Sequence, residues 1–133
     1  MALRIGGYGL LLQVFDMPAS IAFYRDVLGF TVASDVPPDG SCDFAMLELH
    51  GTELMLNTAY EAEDRPATPV ASRRAAHSDT GLYFDCAEVD DACIQLRARG
   101  VDVSSPVVRE YGMKQIYLKD PDGYEICLQQ RVS

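Results

Sequence analysis

A 72-residue internal repeat restricts what this chain can fold into more than any other feature. Met17, Ile21, Tyr24 and Leu28 follow the spacing of an amphipathic helix, and Val89, Cys93 and Leu96 repeat the first three at an offset of 72. Asp16 and Glu88 precede the two stripes, the first a good N-cap and the second suited to the positive helix end. Gly29 and Gly100 end them, where a left-handed residue is cheapest. Those glycines are 71 apart, so one residue is gained or lost between the copies.

Each stripe sits in the same strand order. A strand is expected before each helix, at Leu10 to Val14 and at Leu82 to Cys86, with an extended stretch after it, at Phe30 to Ala33 and at Val101 to Val103. A turn-rich segment follows, then a hairpin. The first hairpin joins Asp43–Leu49 to Glu53–Asn57 at His50-Gly51, and the second joins Lys114–Lys119 to Glu125–Gln129 at Asp120-Pro121-Asp122-Gly123. The expected class is α+β, two tandem β-α-β-β-β modules in one domain over 1–133: module one about 8–58, a linker over 59–79 and module two about 80–131. The linker, with Pro66, Pro69 and no periodicity, reads as a mobile connection whose Arg73-Arg74 pair is solvated.

Charge and cysteine usage narrow the function classes. Eleven basic against twenty acidic residues give a net charge of -9, which argues against nucleic acid as a partner. An acidic surface keeps a protein soluble, and an acidic cleft also concentrates cationic ligands. No apolar run approaches the ~18 residues needed to span a bilayer, so no membrane partner is expected. The Leu10–Leu12 run is too short for a secretory leader. Cys42, Cys86, Cys93 and Cys127 lack C-x-x-C spacing and read as mostly buried thiols of a cytoplasmic protein.

Two segments carry a family resemblance. VFDMPASIAFYRDVLGF, from Val14 to Phe30, resembles the first helix of the vicinal oxygen chelate superfamily, which includes glyoxalase I, bleomycin-resistance proteins and extradiol dioxygenases. YGMKQIYLKDPDGYEICLQ, from Tyr111 to Gln129, resembles their closing hairpin. The resemblance implies modules pairing into an incomplete barrel around a cavity, in a homodimer. It also implies four metal-ligand positions, which here fall on Gly9, Met55, Gly81 and Cys127. Chelating chemistry of this kind needs imidazole or carboxylate ligands. Two glycines, a thioether and a thiol do not supply them, so neither a metal nor another cofactor is expected.

Strand alternation then assigns the cavity wall. Leu54, Leu56, Ile126 and Leu128, with Leu10, Leu12, Leu82 and Phe84, should pack under the helices. Leu11, Gln13, Glu53, Met55, Asn57, Tyr83, Asp85, Glu125, Gln129 and Cys127 should line the cavity, a mixture that suits a small-molecule ligand. Glu53 and Glu125 are repeat mates. As a facing pair they would bind a cation or supply an acid or base; alternatively both are solvated at the cavity mouth. Cys127 lacks a histidine partner and reads as an inert wall residue. The resemblance to antibiotic-binding relatives implies that Tyr111, just before the penultimate strand, stacks on a flat ligand, with Arg109 and Glu110 adding polar contacts; alternatively it packs on the neighbouring module. Phe44 and Tyr60 are further wall candidates.

Three functions remain open. The leading expectation is a metal-independent module that sequesters a cationic or aromatic compound. The others are a glyoxalase- or dioxygenase-like enzyme with a metal on non-standard ligands such as Glu53, Asp85 and Glu125, and a metal-free isomerase or lyase with a cavity carboxylate as base. No catalytic residue is assigned.

Overall fold

A computed structural model describes residues 2–35, 37 and 41–132. The chain divides into two compact units, Met1–Ala67 and Thr68–Ser133. Each holds one open four-stranded mixed sheet with a helix on one face, the α+β class that the repeat predicts. Residues 36 and 38–40, in the turn-rich stretch between the second and third strands, lie outside the described residues. No helix among the described residues is long and apolar enough to cross a membrane.

In the first unit the strands are β1 (Leu10–Val14), β2 (Thr31–Asp35), β3 (Phe44–Leu49) and β4 (Thr52–Thr58), in the order β1-β4-β3-β2. Strand β1 runs parallel to β4, with Leu12 opposite Leu56, and β3 runs antiparallel to β4, with Leu47 opposite Leu54. Helix α1 (Met17–Ala22) starts where Asp16 Oδ1 accepts the Ala19 N–H at 3.2 Å. Its buried Met17 and Ile21, and Tyr24 beyond its end, meet the apolar face of Leu12, Val14, Ala45, Leu47, Leu54 and Leu56.

The chain leaves α1 through one π-helical turn, Phe23–Val27, in which Leu28 N–H reaches back five residues to Phe23 O at 3.3 Å. A π turn accommodates one extra residue within a helix. The second copy runs on as a plain α-helix, so the offset falls from 72 at Tyr24 and Leu96 to 71 at Gly29 and Gly100. The residue is recovered in the second hairpin. Glu48 faces Glu53 across a short turn in the first copy, whereas Lys119 faces Glu125 across one residue more in the second. The extra turn also leaves Leu28 only half-buried, less deep than a straight stripe would place it.

In the second unit the strands are β5 (Gly81–Asp85), β6 (Val107–Val108), β7 (Met113–Lys119) and β8 (Glu125–Arg131), in the order β5-β8-β7-β6. Tyr83 lies opposite Cys127 as Leu11 lies opposite Met55, the same register at an offset of 72. The helix on this sheet, Val89–Ala98, buries Val89, Cys93 and Leu96. Two details differ from expectation. Glu88 gives no side-chain cap; the Val89 N–H donates instead to Gln130 Oε1 on β8 at 2.7 Å. Val101–Val103 is not a strand, and only Val107–Val108, past Pro106, pair with β7. The intervening stretch reaches β7 through Ser104, whose N–H donates to Tyr117 O and whose hydroxyl accepts from Tyr117 N.

The linker is also more ordered than its composition suggests. It contains a short helix, Ala71–Ala76, followed by a 3-10 turn, His77–Asp79, and both meet the Asp120–Gly123 turn. Arg74, expected to be solvated, donates to Pro121 O. The His77 ring stacks on Tyr124, with centroids 4.1 Å apart, and its Nδ1 lies 2.7 Å from Asp122 O. A carbonyl only accepts, so Nδ1 carries the proton. The carboxylate of Asp120 is structural, accepting the N–H groups of Asp122 and Tyr124 at 2.9 Å each. Gly123 sits at φ +87, and a Cβ there would lie 2.7 Å from Arg74 O. Gly123→Ala is therefore expected to cost about 1–3 kcal/mol, read as a lower urea midpoint at unchanged slope.

Candidate functional site

Strand alternation gives each sheet a second face, away from its helix. In the first unit this face presents Leu11, Gln13, Glu53, Met55 and Asn57, with Phe44 and Met46 from β3. Leu11, Phe44 and Glu53 are exposed and the others are half-buried. Glu53 stands beside Glu48 in the β3–β4 register. Tyr60 packs edge-on against Phe15 at 6.3 Å, and Arg65 covers the same Phe15 ring.

The corresponding face of the second unit is more polar and more tightly connected. Tyr83 and Asp85 on β5, Glu125, Cys127 and Gln129 on β8, and Gln115 and Tyr117 on β7 share it. Asp85 is exposed and Glu125 half-buried. Gln115 is only 1% exposed, and its Oε1 accepts from the Tyr111 hydroxyl at 3.0 Å and from the Tyr117 hydroxyl. Its Nε2 donates to Gln129 Oε1 at 2.9 Å. The Arg109 guanidinium lies over the Tyr117 ring, 5.7 Å from its centre, and the adjacent phenol raises its pKa. Partial desolvation of the half-exposed ring, then the neighbouring Tyr117, Cys127 and Glu125, raises the pKa of Tyr83. Tyr83 and Tyr111 remain 55% and 60% exposed.

Of the ten residues that strand alternation nominates, five belong to each unit: Tyr83, Asp85, Glu125, Gln129 and Cys127 come together on the second sheet, and Leu11, Gln13, Glu53, Met55 and Asn57 on the first. Tyr111, nominated by the family resemblance, lies beside the second set. Glu53 and Glu125 thus fall in different units. Sequence reasoning passed over Gln115 and Tyr117, the centre of the network. Counting back by twos along β7 from Lys119 would have put both on the face of Cys127.

The four metal positions can be tested on their own chemistry. A Cβ at Gly9 would lie 2.8 Å from Met55 Cε, so that pair adjoins, yet offers only a thioether. A Cβ at Gly81 would meet the Tyr83 ring at 3.1 Å, so an aromatic edge occupies the space of a ligand side chain. Cys127 is fully buried, and burial pushes its thiol up to about 11, against the thiolate that a metal requires. These residues do not fit a divalent metal. Among the described residues no group of three or more His, Cys, Asp or Glu could hold one.

Comparison with known proteins agrees with this architecture. A family model described as Glyoxalase/Bleomycin resistance protein/Dioxygenase superfamily matches residues 7–128. A glyoxalase/bleomycin resistance protein/dioxygenase from Nocardioides superposes at a TM-score of 0.75 and 25% identity, covering 100% of this chain and 87% of that one. TnmS3, an antibiotic binding protein from Streptomyces sp. CB03234, gives 0.70 and 23%, covering 98% and 99%. Lactoylglutathione lyase from Agrobacterium tumefaciens gives 0.68 and 20%, covering 95% and 94%. The last two share the fold alone. No curated protein sequence matches the chain.

Proposed function

Because the chain belongs to the glyoxalase/bleomycin resistance protein/dioxygenase superfamily, we propose that it is a metal-independent protein that binds a small cationic or aromatic compound on the helix-free face of its second sheet. A fold shared by an antibiotic binding protein and a lyase does not choose between binding and catalysis, so the choice rests on the site. The observation that carries it is Tyr111, a ring 60% exposed to solvent yet pinned through its hydroxyl to a buried amide. An aromatic face held in place before the ligand arrives loses little entropy on stacking. Tyr83, equally open, offers a second ring, and the net charge of -9 favours a positively charged ligand.

An enzyme would need a metal gathered by Glu53, Asp85 and Glu125, or one of them as a base, and no observation favours either. We extend the proposal to a cytoplasmic homodimer. Four free thiols suit a reducing compartment, and sedimentation at micromolar concentration tests the dimer.

The test of the function combines metal analysis with binding. Protein purified without chelator is expected to carry no stoichiometric divalent metal; one metal per chain would overturn the metal-independent reading. Planar aromatic compounds, titrated against tyrosine fluorescence, should bind, and Tyr111→Ala should weaken them roughly three- to tenfold. Binding indifferent to Tyr111 would remove the observation on which the proposal stands.

A further inference from the structure

The hydrogen bonds around Gln115 run in one direction, and that direction selects the ligand. The Tyr117 hydroxyl, under the Arg109 guanidinium that lies 5.7 Å from the ring centre, donates to Gln115 Oε1. With Tyr117 donating, Gln115 must present Oε1 to it, and Tyr111 donates to the same oxygen at 3.0 Å. The amide nitrogen of Gln115 is then committed to Gln129 Oε1 at 2.9 Å.

The free end of this relay is the amide nitrogen of Gln129, which carries two N–H groups. Asp85 stands opposite Gln129 in the β5–β8 register; even if one N–H turned to it, the second would remain. Gln129 is half-buried on the face that carries Tyr83 and Cys127. We propose that Gln129 is a specificity-determining residue that selects planar aromatic ligands bearing a hydrogen-bond acceptor, such as a ring carbonyl. This rests on the aromatic-binding reading above and narrows its ligand class. A cationic ligand without an acceptor would meet donors here and gain nothing from them.

Fluorenone and fluorene share one ring skeleton and differ by a carbonyl, so their affinity ratio reads the acceptor alone. Wild-type protein is expected to prefer fluorenone by about five- to tenfold, the usual range for one net hydrogen bond. Gln129→Leu should bring the ratio to about one. Equal binding of both compounds to wild-type protein would overturn this inference and leave aromatic binding standing. Failure of both to bind would overturn the aromatic reading as well. A preference that survives in Gln129→Leu of unchanged melting temperature would assign the selection to another group and overturn the role of Gln129.

Discussion

Replacing Tyr24 by alanine is expected to lower the unfolding free energy by about 3–5 kcal/mol, the usual cost of emptying a buried aromatic site. Tyr24 is fully buried at the π turn that ends α1, edge-on to Phe23 at 5.2 Å and to Phe30 at 5.8 Å. Its removal takes away both ring contacts and a large share of the apolar area under the helix. Phe30, whose N–H donates to the Tyr24 carbonyl at 2.9 Å, packs on the ring where the chain returns into β2. Urea unfolding reads the loss. Leu96→Ala, the repeat mate, should cost about 2–5 kcal/mol and serves as the comparison. A loss below about 1 kcal/mol for Tyr24→Ala would mean that the π turn collapses to a plain helix and refills the space.

The second large effect is a loss of stability in alkali. Burial first, and Glu125 next, hold the Cys127 thiol up to about 11 against an ordinary 9.0, with Tyr117 and Arg109 acting the other way. Between those values the unfolded chain gives up the thiol proton and the folded chain keeps it. The unfolded state then binds fewer protons, so stability falls as pH rises through this window and is fully retained below it. Two pH units correspond to about 3 kcal/mol. Tyrosines and lysines ionise in the same range, so the readout is the difference between wild type and Cys127→Ala. That substitution changes the level of stability at neutral pH and should flatten its alkaline slope. Equal slopes would show that the thiol is not held neutral by the fold. The same burial predicts negligible alkylation of Cys127 in the native protein at pH 8.

Local patterns made much of the architecture legible. The 3.6-residue stripe from Met17 and from Val89, the glycine stops and the two turns lie within short windows, where spacing alone reports the element. Period-two alternation placed Tyr83, Glu125 and Cys127 on one face, because a strand has only two sides. The lack of ligand chemistry at Gly9, Met55, Gly81 and Cys127 was also readable, since the identity of a side chain limits what it can coordinate.

What depended on contacts between distant residues was not readable. Glu88 looked like a cap, but Gln130 from β8 takes that role, and nothing near Val89 announces a partner 41 residues away. The linker looked loose because it has no apolar periodicity. Its order comes from Arg74 and His77 gripping the Asp120–Gly123 turn, over 40 residues on, where only a glycine leaves room. Gln115 had no local signal as the centre of a site. Its importance arises when β7 and β8 pair and Tyr111, Tyr117 and Gln129 converge on one buried amide. The sequence by itself therefore determined the elements, their repeat and the chemistry the metal positions lack, all of which are carried by neighbours in the chain. Tertiary structure decided the cap of the second helix, the order of the linker and the direction of the polar relay, because each needs a partner that only folding brings within hydrogen-bonding distance.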